Sequence, residues 1–346
     1  MNCKKSLKKD YTKITDYYEK LVLLTKKKYF VGPTNEWFID NYYLLREVYN
    51  HFQEVKRDRK FINIINNATK VEKMLSKILK RYNYLIDINI LQKEINRFQQ
   101  NYEHYFSYNE IDTIVYILFV LFFKRLSLVV DIEETRLQEL LKADKVTDTM
   151  VSKHYKNNAK IDIKNYIKLN KTLLKKTYYL YRLNEKIQEL GSISDNGFME
   201  FNELLKENNV DIRTIIEQEH KKEIENNIVT SNIFQSLKIV LELDSSTLYD
   251  KVSFTEKQLN FDEVYKNMTD DTKSLYREQI IKNQEEELTD EYSYVNRLIT
   301  EALKTKTHIG NYLFKEKNLK GRRIFYLGFI TIVTLILTLA FAILLF

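Results

Sequence analysis

The segment 324–346 constrains this chain more than any other, because it reads IFYLGFITIVTLILTLAFAILLF and holds no charged residue. A helix of about 20 apolar residues spans the hydrocarbon core of a bilayer. The threonines in the segment can bond to carbonyls of their own helix. The sequence therefore predicts a transmembrane helix at 324–346. The alternative is a buried core helix, although a soluble protein seldom needs one so uniformly apolar.

Basic residues flank this apolar segment on its N-terminal side only. They are Lys315, Lys317, Lys320, Arg322 and Arg323. Basic flanks favour the cytoplasmic side of a membrane, so we expect the bulk of the chain to be cytoplasmic. The stop at Phe346 leaves two interpretations open, a tail anchor or a longer protein cut after its first span.

The composition favours helices. Six glycines and one proline in 346 residues fit long helices with short polar connections, whereas β-rich and dinucleotide-binding folds need glycine turns. With 44% hydrophobic residues the chain can bury a core. We expect an all-α protein, a multi-helix cytoplasmic bundle followed by one C-terminal transmembrane helix.

The charge and the cysteine usage exclude several classes of protein. The net charge is +7, but the lysines are spread among acidic residues, which disfavours a nucleic-acid partner. A basic surface near an anionic inner leaflet explains the excess, so the predicted partner is the lipid bilayer. The single cysteine, Cys3, excludes a disulfide framework. Residues 1–30 hold too many lysines for the apolar core of a signal peptide.

A second apolar run occupies residues 111–130. Its uninterrupted part, 114–123, is about half a membrane span, and Lys124 and Arg125 close it. We expect the central buried helix of the soluble part here. A second span or a re-entrant segment is the alternative.

Helical periodicity and capping residues predict the other elements. Trp37, Asn41, Leu44 and Val48 share a face of a helix that Asn35 can cap, and we expect Trp37 to be an interior anchor.

A polar stretch at 143–150 and a turn at 190–198 are the best boundaries. The predicted divisions are residues 1–142, 143–320 and 324–346. Predicted helices cover about 5–29, from 35 through the fifties, 61–82, 86–105, 211–243 and 247–259. The helix 211–243 carries the stripe Val229, Ile233, Leu237 and Val240, and a further helix is capped by Thr269 or Asp270.

The sequence shows no catalytic constellation. It has no Gly-rich phosphate loop and no Gly-x-Ser-x-Gly elbow. The five histidines lack metal-ligand spacing, and Asp-x-Asp is absent. We therefore predict no cofactor, no metal and no catalytic residue. An enzyme with an unrecognised helical active site remains a third hypothesis.

The predicted helix 211–243 contains Asn226-Asn227 and Ser231-Asn232, which are poor helix formers. A polar packing seam against a neighbouring helix explains them. A helix–helix lock, in which buried amides fix the register, is the sharper alternative.

Three separated blocks resemble the N-terminal region of cyclic β-1,2-glucan synthases, a family of large bacterial inner-membrane glucosyltransferases. The first block, 36–47, reads EWFIDNYYLLRE and is similar to a helix with a tryptophan, an Asp-Asn pair and a glutamate. The third, 308–313, reads HIGNYL and is similar to the family's His-Val-Gly-aromatic-Tyr-Leu before its membrane region. The second block comprises Glu219-His220, Asn226-Asn227, Ser231-Asn232-Ile233, Ser236-Leu237, Leu243-Asp244, Val252-Ser253, Glu256, Val264-Tyr265, Met268, Thr272 and Tyr276-Arg277.

The chain also departs from that family. The family's Gly-Glu-Leu-Trp segment survives only as Asn109-Glu110-Ile111, without the tryptophan, and its Tyr-Pro element is not visible. The family's glucosyltransferase and phosphorylase-like domains lie beyond the matching region and outside this chain. No catalytic residue can be carried over.

The resemblance implies a membrane-anchored module that supports β-1,2-glucan synthesis in the bacterial inner membrane. Its implied partners are a glucan synthase catalytic domain and nascent β-glucan. The alternative is a stand-alone tail-anchored helical adaptor unrelated to sugars. The predicted contact residues for a partner or glucan are Trp37, Asp40, Asn41, Asn227, Asn232, His308 and Tyr312.

Overall fold

The computed structural model describes residues 3–29, 31–55, 59–157, 167, 172–189 and 197–314. Across these ranges the regular structure is helical and no strand occurs, which confirms the all-α prediction for that part of the chain. The predicted transmembrane helix at 324–346 and its basic flank lie outside the described residues. So does most of the predicted turn at 190–198.

The chain divides into two compact units. The first unit comprises Met1–His104 and Asn109–Val252, and the second comprises Tyr105–Tyr108 and Ser253–Phe346. The predicted boundary between residues 142 and 143 instead lies inside one continuous helix, Tyr108–Asn157. The helix continues because Ala143, Thr147 and Met150 keep a buried stripe at helical spacing through the polar stretch.

Helices make up most of the described part of the first unit. They are α1 (Cys3–Lys26), α2 (Pro33–Val55), α3 (Arg59–Asn67), α4 (Thr69–Arg81), α5 (Ile88–Tyr102), α6 (Tyr108–Asn157, in this unit from residue 109), α7 (Thr177–Glu189), α8 (Gly197–Glu207), α9 (Ile212–Leu241) and α10 (Ser245–Val252). The second unit holds α11 (Phe254–Leu259), α12 (Glu263–Lys266), α13 (Asp270–Glu287), α14 (Glu291–Thr305) and α15 (Gly310–Leu313).

The break between α1 and α2 differs in detail from the prediction. Gly32 takes a φ of +82°, and Pro33 occupies the first helical position, where its missing N–H costs nothing. Asn35 therefore lies inside the first turn and is not the cap. Its Oδ1 accepts a hydrogen bond from the Tyr17 hydroxyl at 2.7 Å, and its Nδ2 donates to the Val31 carbonyl at 2.6 Å. Asn35 thus joins α1 to α2.

Helix α6 carries the apolar run at 111–130. Side chains along it, such as Ile114, Phe119 and Phe122, are completely buried, as expected for a central core helix. By length and composition alone this helix could also cross a membrane, and 83% of its most apolar window is buried inside the protein. It is the one helix in the described residues with that property, and it lies in the middle of the chain.

Helix α9 matches the sequence prediction closely. Asp211 caps it by accepting a hydrogen bond from the Arg213 N–H at 3.1 Å. The predicted stripe is buried against α2 and α7. In this interface the rings of Phe38 and Phe234 meet edge to face at 5.7 Å. The stripe consists of Val229, Ile233, Leu237 and Val240.

The predicted helix 247–259 is two helices. Asp244 accepts a hydrogen bond from the Thr247 N–H at 3.0 Å where α10 begins. Ser253 then interrupts the helix, because its Oγ accepts a hydrogen bond from the Glu256 N–H at 3.0 Å and starts α11. Thr269 caps α13, as predicted.

Candidate functional site

The second unit contains a hydrogen-bonded chain of three titratable side chains. The Asp262 Oδ2 and the His308 Nδ1 are 2.8 Å apart, and the His308 Nε2 and the Tyr276 hydroxyl are 2.7 Å apart. When the imidazole is neutral, its Nδ1–H donates to Asp262 and its Nε2 accepts from Tyr276. This arrangement, the Asp262–His308–Tyr276 chain, includes one of the predicted contact residues.

Asp262 is held by backbone as well as by His308. Its Oδ1 accepts hydrogen bonds from the N–H groups of Val264 and Tyr265, and its Oδ2 accepts one from the Ile309 N–H at 2.8 Å. Burial alone would raise the pKa of Asp262, but the hydrogen bonds from Ile309, Tyr265 and His308 outweigh it and lower that pKa. The carboxylate is therefore ionised at neutral pH and fixes the imidazole ring.

Gly310 allows the close approach of these groups. A Cβ at this position would lie 2.6 Å from the Tyr276 hydroxyl and 2.8 Å from the His308 Nε2. Only a residue without a side chain leaves the chain of hydrogen bonds undisturbed. The His-x-Gly pattern of the third sequence block thus has a steric explanation.

An Asp–His–Tyr chain has the geometry of a general base and its substrate hydroxyl. Burial, and then the charge of Asp262, raises the pKa of Tyr276. A hydroxyl that holds its proton more firmly than in water makes a weak nucleophile. The arrangement is better suited to fastening residues 308–309 onto α12 and α13.

A buried ion pair lies in the same unit. The Arg277 guanidinium is 3.0 Å from Glu256, and the Tyr265 hydroxyl donates to the same carboxylate at 2.9 Å. Lys273 lies 3.9 Å from the other Glu256 oxygen. Glu256 and Arg277 are 1% and 4% exposed, so this cluster is part of the interior.

The first unit holds a different ion cluster around Arg136. The guanidinium lies 3.2 Å from Glu133 on its own helix and 3.7 and 3.8 Å from Glu219 and Glu223 on α9. It also stacks over the Tyr178 ring at 4.3 Å. The cavity beside this Arg136 cluster measures about 10 Å³, which is room for about one water. The cluster is therefore a polar core and not a ligand pocket.

The predicted contact residues of α2 remain separate from these clusters. Trp37 is partly buried and does not belong to the fully buried core. Asp40 is exposed, and Asn41 is 7% exposed and donates to the Trp37 carbonyl of its own helix at 3.1 Å. The expectation of Trp37 as an interior anchor holds only in part, because the residue is only partly buried.

Asn226 of α9 bonds to a neighbouring helix, which confirms the predicted polar seam at that position. Asn226 donates to Glu133 on α6 at 2.9 Å, while Asn232 donates to the Asn83 carbonyl at 2.9 Å. The buried Oδ1 of Asn227 has no hydrogen-bond partner among the described residues. In the second unit, the Tyr312 hydroxyl lies 2.6 Å from Thr305 Oγ1. The seven predicted contact residues are thus distributed over both units.

Sequence reasoning missed Asp262 and Arg136. Asp262 precedes a short helix and could have been recognised as its cap. Arg136 lies with Glu133 and Glu139 at spacings of three, in register with the buried stripe of α6. Charged residues in register with an apolar stripe are a signal of a buried ionic cluster.

A scan against models of known protein families finds no match to this chain, and a search of curated proteins finds none. The resemblance to cyclic β-1,2-glucan synthases therefore rests on the three sequence blocks alone.

Proposed function

We propose that this chain is a membrane-associated helical module without catalytic activity that supports β-1,2-glucan synthesis at a bacterial inner membrane. It would contact a glucan synthase catalytic domain and, through it, nascent β-glucan. The proposal rests on one observation about the second unit. Several residues that carry the sequence resemblance take part there in polar networks, together with residues outside the three blocks such as Asp262 and Lys273.

Those residues come from two blocks far apart in sequence. Ser253 starts α11, Glu256 pairs with Arg277, and Tyr265 donates to Glu256. Tyr276 meets His308 of the third block beside Gly310. Polar networks with long-range hydrogen bonds favour one packing arrangement. A resemblance concentrated in such networks supports a shared scaffold and does not require a shared reaction.

The membrane part of the proposal has two supports. The segment 324–346 has the length and composition of a span. Helix α6 is apolar enough to cross a membrane, although it is mostly buried. A reporter fused after Phe346 should behave as outside the cytoplasm, and a reporter that reads as cytoplasmic would refute the proposed orientation.

The function is tested in two arms with the full chain. Purified protein given labelled nucleotide-glucose should release no glucose or glucan above background, and turnover would refute the non-catalytic role. Co-expression with a synthase that lacks its own N-terminal region should restore β-1,2-glucan.

A matched pair of variants sharpens the second arm. Glu256→Gln disturbs the buried network and should reduce the restored glucan, whereas Glu263→Gln changes an exposed carboxylate and should not. If the intact chain restores nothing while the partner is correctly inserted, the glucan proposal fails and the stand-alone adaptor takes its place.

A further inference from the structure

A cleft between α4 and α5 in the first unit has the size and charge of a binding site. Its volume is about 550 Å³, within the roughly 300–1,000 Å³ of small-molecule sites. Its floor is apolar and includes Met74, Ile78 and Phe98, and its rim is basic. We refer to it as the α4–α5 cleft.

Three lysines form part of the basic rim of the cleft. Lys70, Lys73 and Lys77 line the cleft at spacings of three and four, so they project from one face of α4. None of them has an ion-pair partner among the described residues. Arg81 and Arg97 add further positive charge, and the single carboxylate in the described lining is Glu94.

Glu94 cannot neutralise this rim, because it is already engaged. Arg81 pairs with it, the Tyr82 hydroxyl donates to it at 3.0 Å, and Arg97 lies 4.0 Å away. Glu94 is 5% exposed. The described residues therefore leave the positive charge of this rim without a balancing carboxylate.

The cleft is held open by bonds to distant elements. In the connection between α4 and α5, the Asn83 carbonyl accepts from Asn232 and the Tyr84 carbonyl accepts from Ser236, each at 2.9 Å. From α5, Gln99 donates to the Val252 carbonyl at 2.8 Å. A preorganised cleft loses less entropy when it binds a ligand.

The lining distinguishes between classes of anion. It offers cationic donors and apolar surface, and its neutral oxygen acceptors belong to Asn101 and Tyr102, both exposed at the rim. A nucleobase would need acceptors for its amino groups. A phosphate attached to an acyl body needs only donors for the phosphate and an apolar floor for the chain.

We propose that the α4–α5 cleft binds the headgroup phosphate and first acyl carbons of an anionic phospholipid. The lysine rim holds the phosphate, and Met74, Ile78 and Phe98 contact the acyl chain. This site does not depend on the proposed role in glucan synthesis. It would add a specific lipid contact to whatever anchoring the apolar segment provides.

Calorimetric titration of the full chain in a nonionic detergent tests the site. The probe is dihexanoyl phosphatidylglycerol, and the comparison ligands are dihexanoyl phosphatidylcholine, glycerol phosphate and ATP. The anionic lipid should bind saturably, about tenfold or more tighter than the zwitterionic lipid. Glycerol phosphate should bind more weakly because it lacks the acyl body. Tighter binding of ATP would assign the cleft to a nucleotide and overturn the proposal.

Charge reversals locate the binding. K73E/K77E should weaken phosphatidylglycerol binding about tenfold or more. The control K80E/K93E makes the same charge change at exposed positions of α4 and α5 outside the cleft, and it should change the affinity by less than about twofold. Equal affinities for the two double variants would refute the site. If K73E/K77E does not fold, the affinity of the unaltered protein is measured at increasing salt concentration. An affinity that does not fall with salt would show that the lysines do not bind the lipid, and it would refute the site.

Discussion

The two units each bury an ionic cluster, and the two clusters have opposite balance. In the first unit one guanidinium, from Arg136, is surrounded by the carboxylates of Glu133, Glu219 and Glu223. In the second unit one carboxylate, from Glu256, is approached by the cations of Arg277 and Lys273. The scarce charge is the cation in one unit and the anion in the other.

The difference determines how each cluster is satisfied. The carboxylates of the first unit recruit neutral donors, since Asn226 donates to Glu133 and Thr177 donates to Glu219. In the second unit the Glu256 Oε2 accepts from Tyr265 and pairs with Arg277, whereas its Oε1 has no hydrogen-bond partner among the described residues. Removing the scarce partner from a buried cluster leaves the others uncompensated, which is costly in a medium of low polarity. Arg136 and Glu256 are therefore the vulnerable positions.

The largest effect is expected for Arg136→Met. The change removes the cation at buried Glu133 and one of the two cations at Glu219, which keeps Lys222 at 2.7 Å, and should destabilise the first unit by about 4 kcal/mol. Hydrogen exchange of amides in α6 and α9 would measure the loss within that unit. Arg213→Met, at an exposed position of α9, is the control and should change stability by less than about 0.5 kcal/mol.

The same variant has a diagnostic pH dependence. Without Arg136, protonation of a buried glutamate removes a charge that has lost its shared cation. The deficit of the variant should therefore shrink as the pH falls. A deficit that does not change with pH would show that the loss comes from packing over Tyr178 and not from charge.

Glu256→Gln should destabilise the second unit by about 3 kcal/mol, because it leaves buried Arg277 without a carboxylate. The exposed Glu263→Gln should cost at most about 1 kcal/mol. Glu256→Leu combined with Arg277→Met removes both charges and should recover much of the loss. If the double variant is no more stable than Glu256→Gln in chemical unfolding, the pair is not the cause.

Gly310→Ala should cost about 1–3 kcal/mol, because the new Cβ would overlap the Tyr276 hydroxyl. Tyr276→Phe removes that hydroxyl, so Gly310→Ala should cost less in the Tyr276→Phe background. Thermal unfolding of the four proteins gives the coupling energy directly. An equal cost in both backgrounds would place the strain elsewhere.

The smallest expected effect is on the loss of stability of the second unit at acid pH. The lowered pKa of Asp262 contributes stability in full above the unfolded-state pKa of about 4, and that contribution is lost as the pH falls through the lower folded-state value. The loss of stability between about pH 6 and pH 3 should therefore be smaller in Asp262→Asn than in the unaltered protein. Urea unfolding measures it, and the exposed Asp271→Asn should behave like the unaltered protein.

Local patterns in the sequence predicted the elements that local physics governs. The stripe Val229, Ile233, Leu237 and Val240 predicts α9 because one face repeats at the helical period. Thr269 predicts the start of α13 because a hydroxyl at that position satisfies free N–H groups. The predicted polar seam of α9 is confirmed at Asn226, which bonds to α6, whereas Asn232 bonds to the connection between α4 and α5.

The features that the sequence predicted wrongly or missed depend on contacts between residues far apart in the chain, which a local pattern does not contain. The stretch 143–150 looked like a boundary because most of its residues are polar, yet three of them suffice to keep a buried stripe. Asn35 looked like a cap, but its side chain bonds to Tyr17 on the preceding helix. His308 bonds to Asp262, 46 residues away in the chain. No spacing rule in a single sequence predicts such a pair.

The connection between α4 and α5 has a consequence for the order of folding. Asn83 and Tyr84 both have positive φ, at 47° and 65°, a conformation that costs roughly 1–2 kcal/mol for each residue with a side chain. Their N–H groups bond locally to the Lys80 and Leu79 carbonyls, but their own carbonyls accept from Asn232 and Ser236, 149 and 152 residues later. At about 5–20 residues per second, the ribosome makes those partners roughly 8–30 s after the connection emerges. During synthesis the connection between α4 and α5 therefore lacks these two hydrogen bonds until α9 has been made and has packed against it.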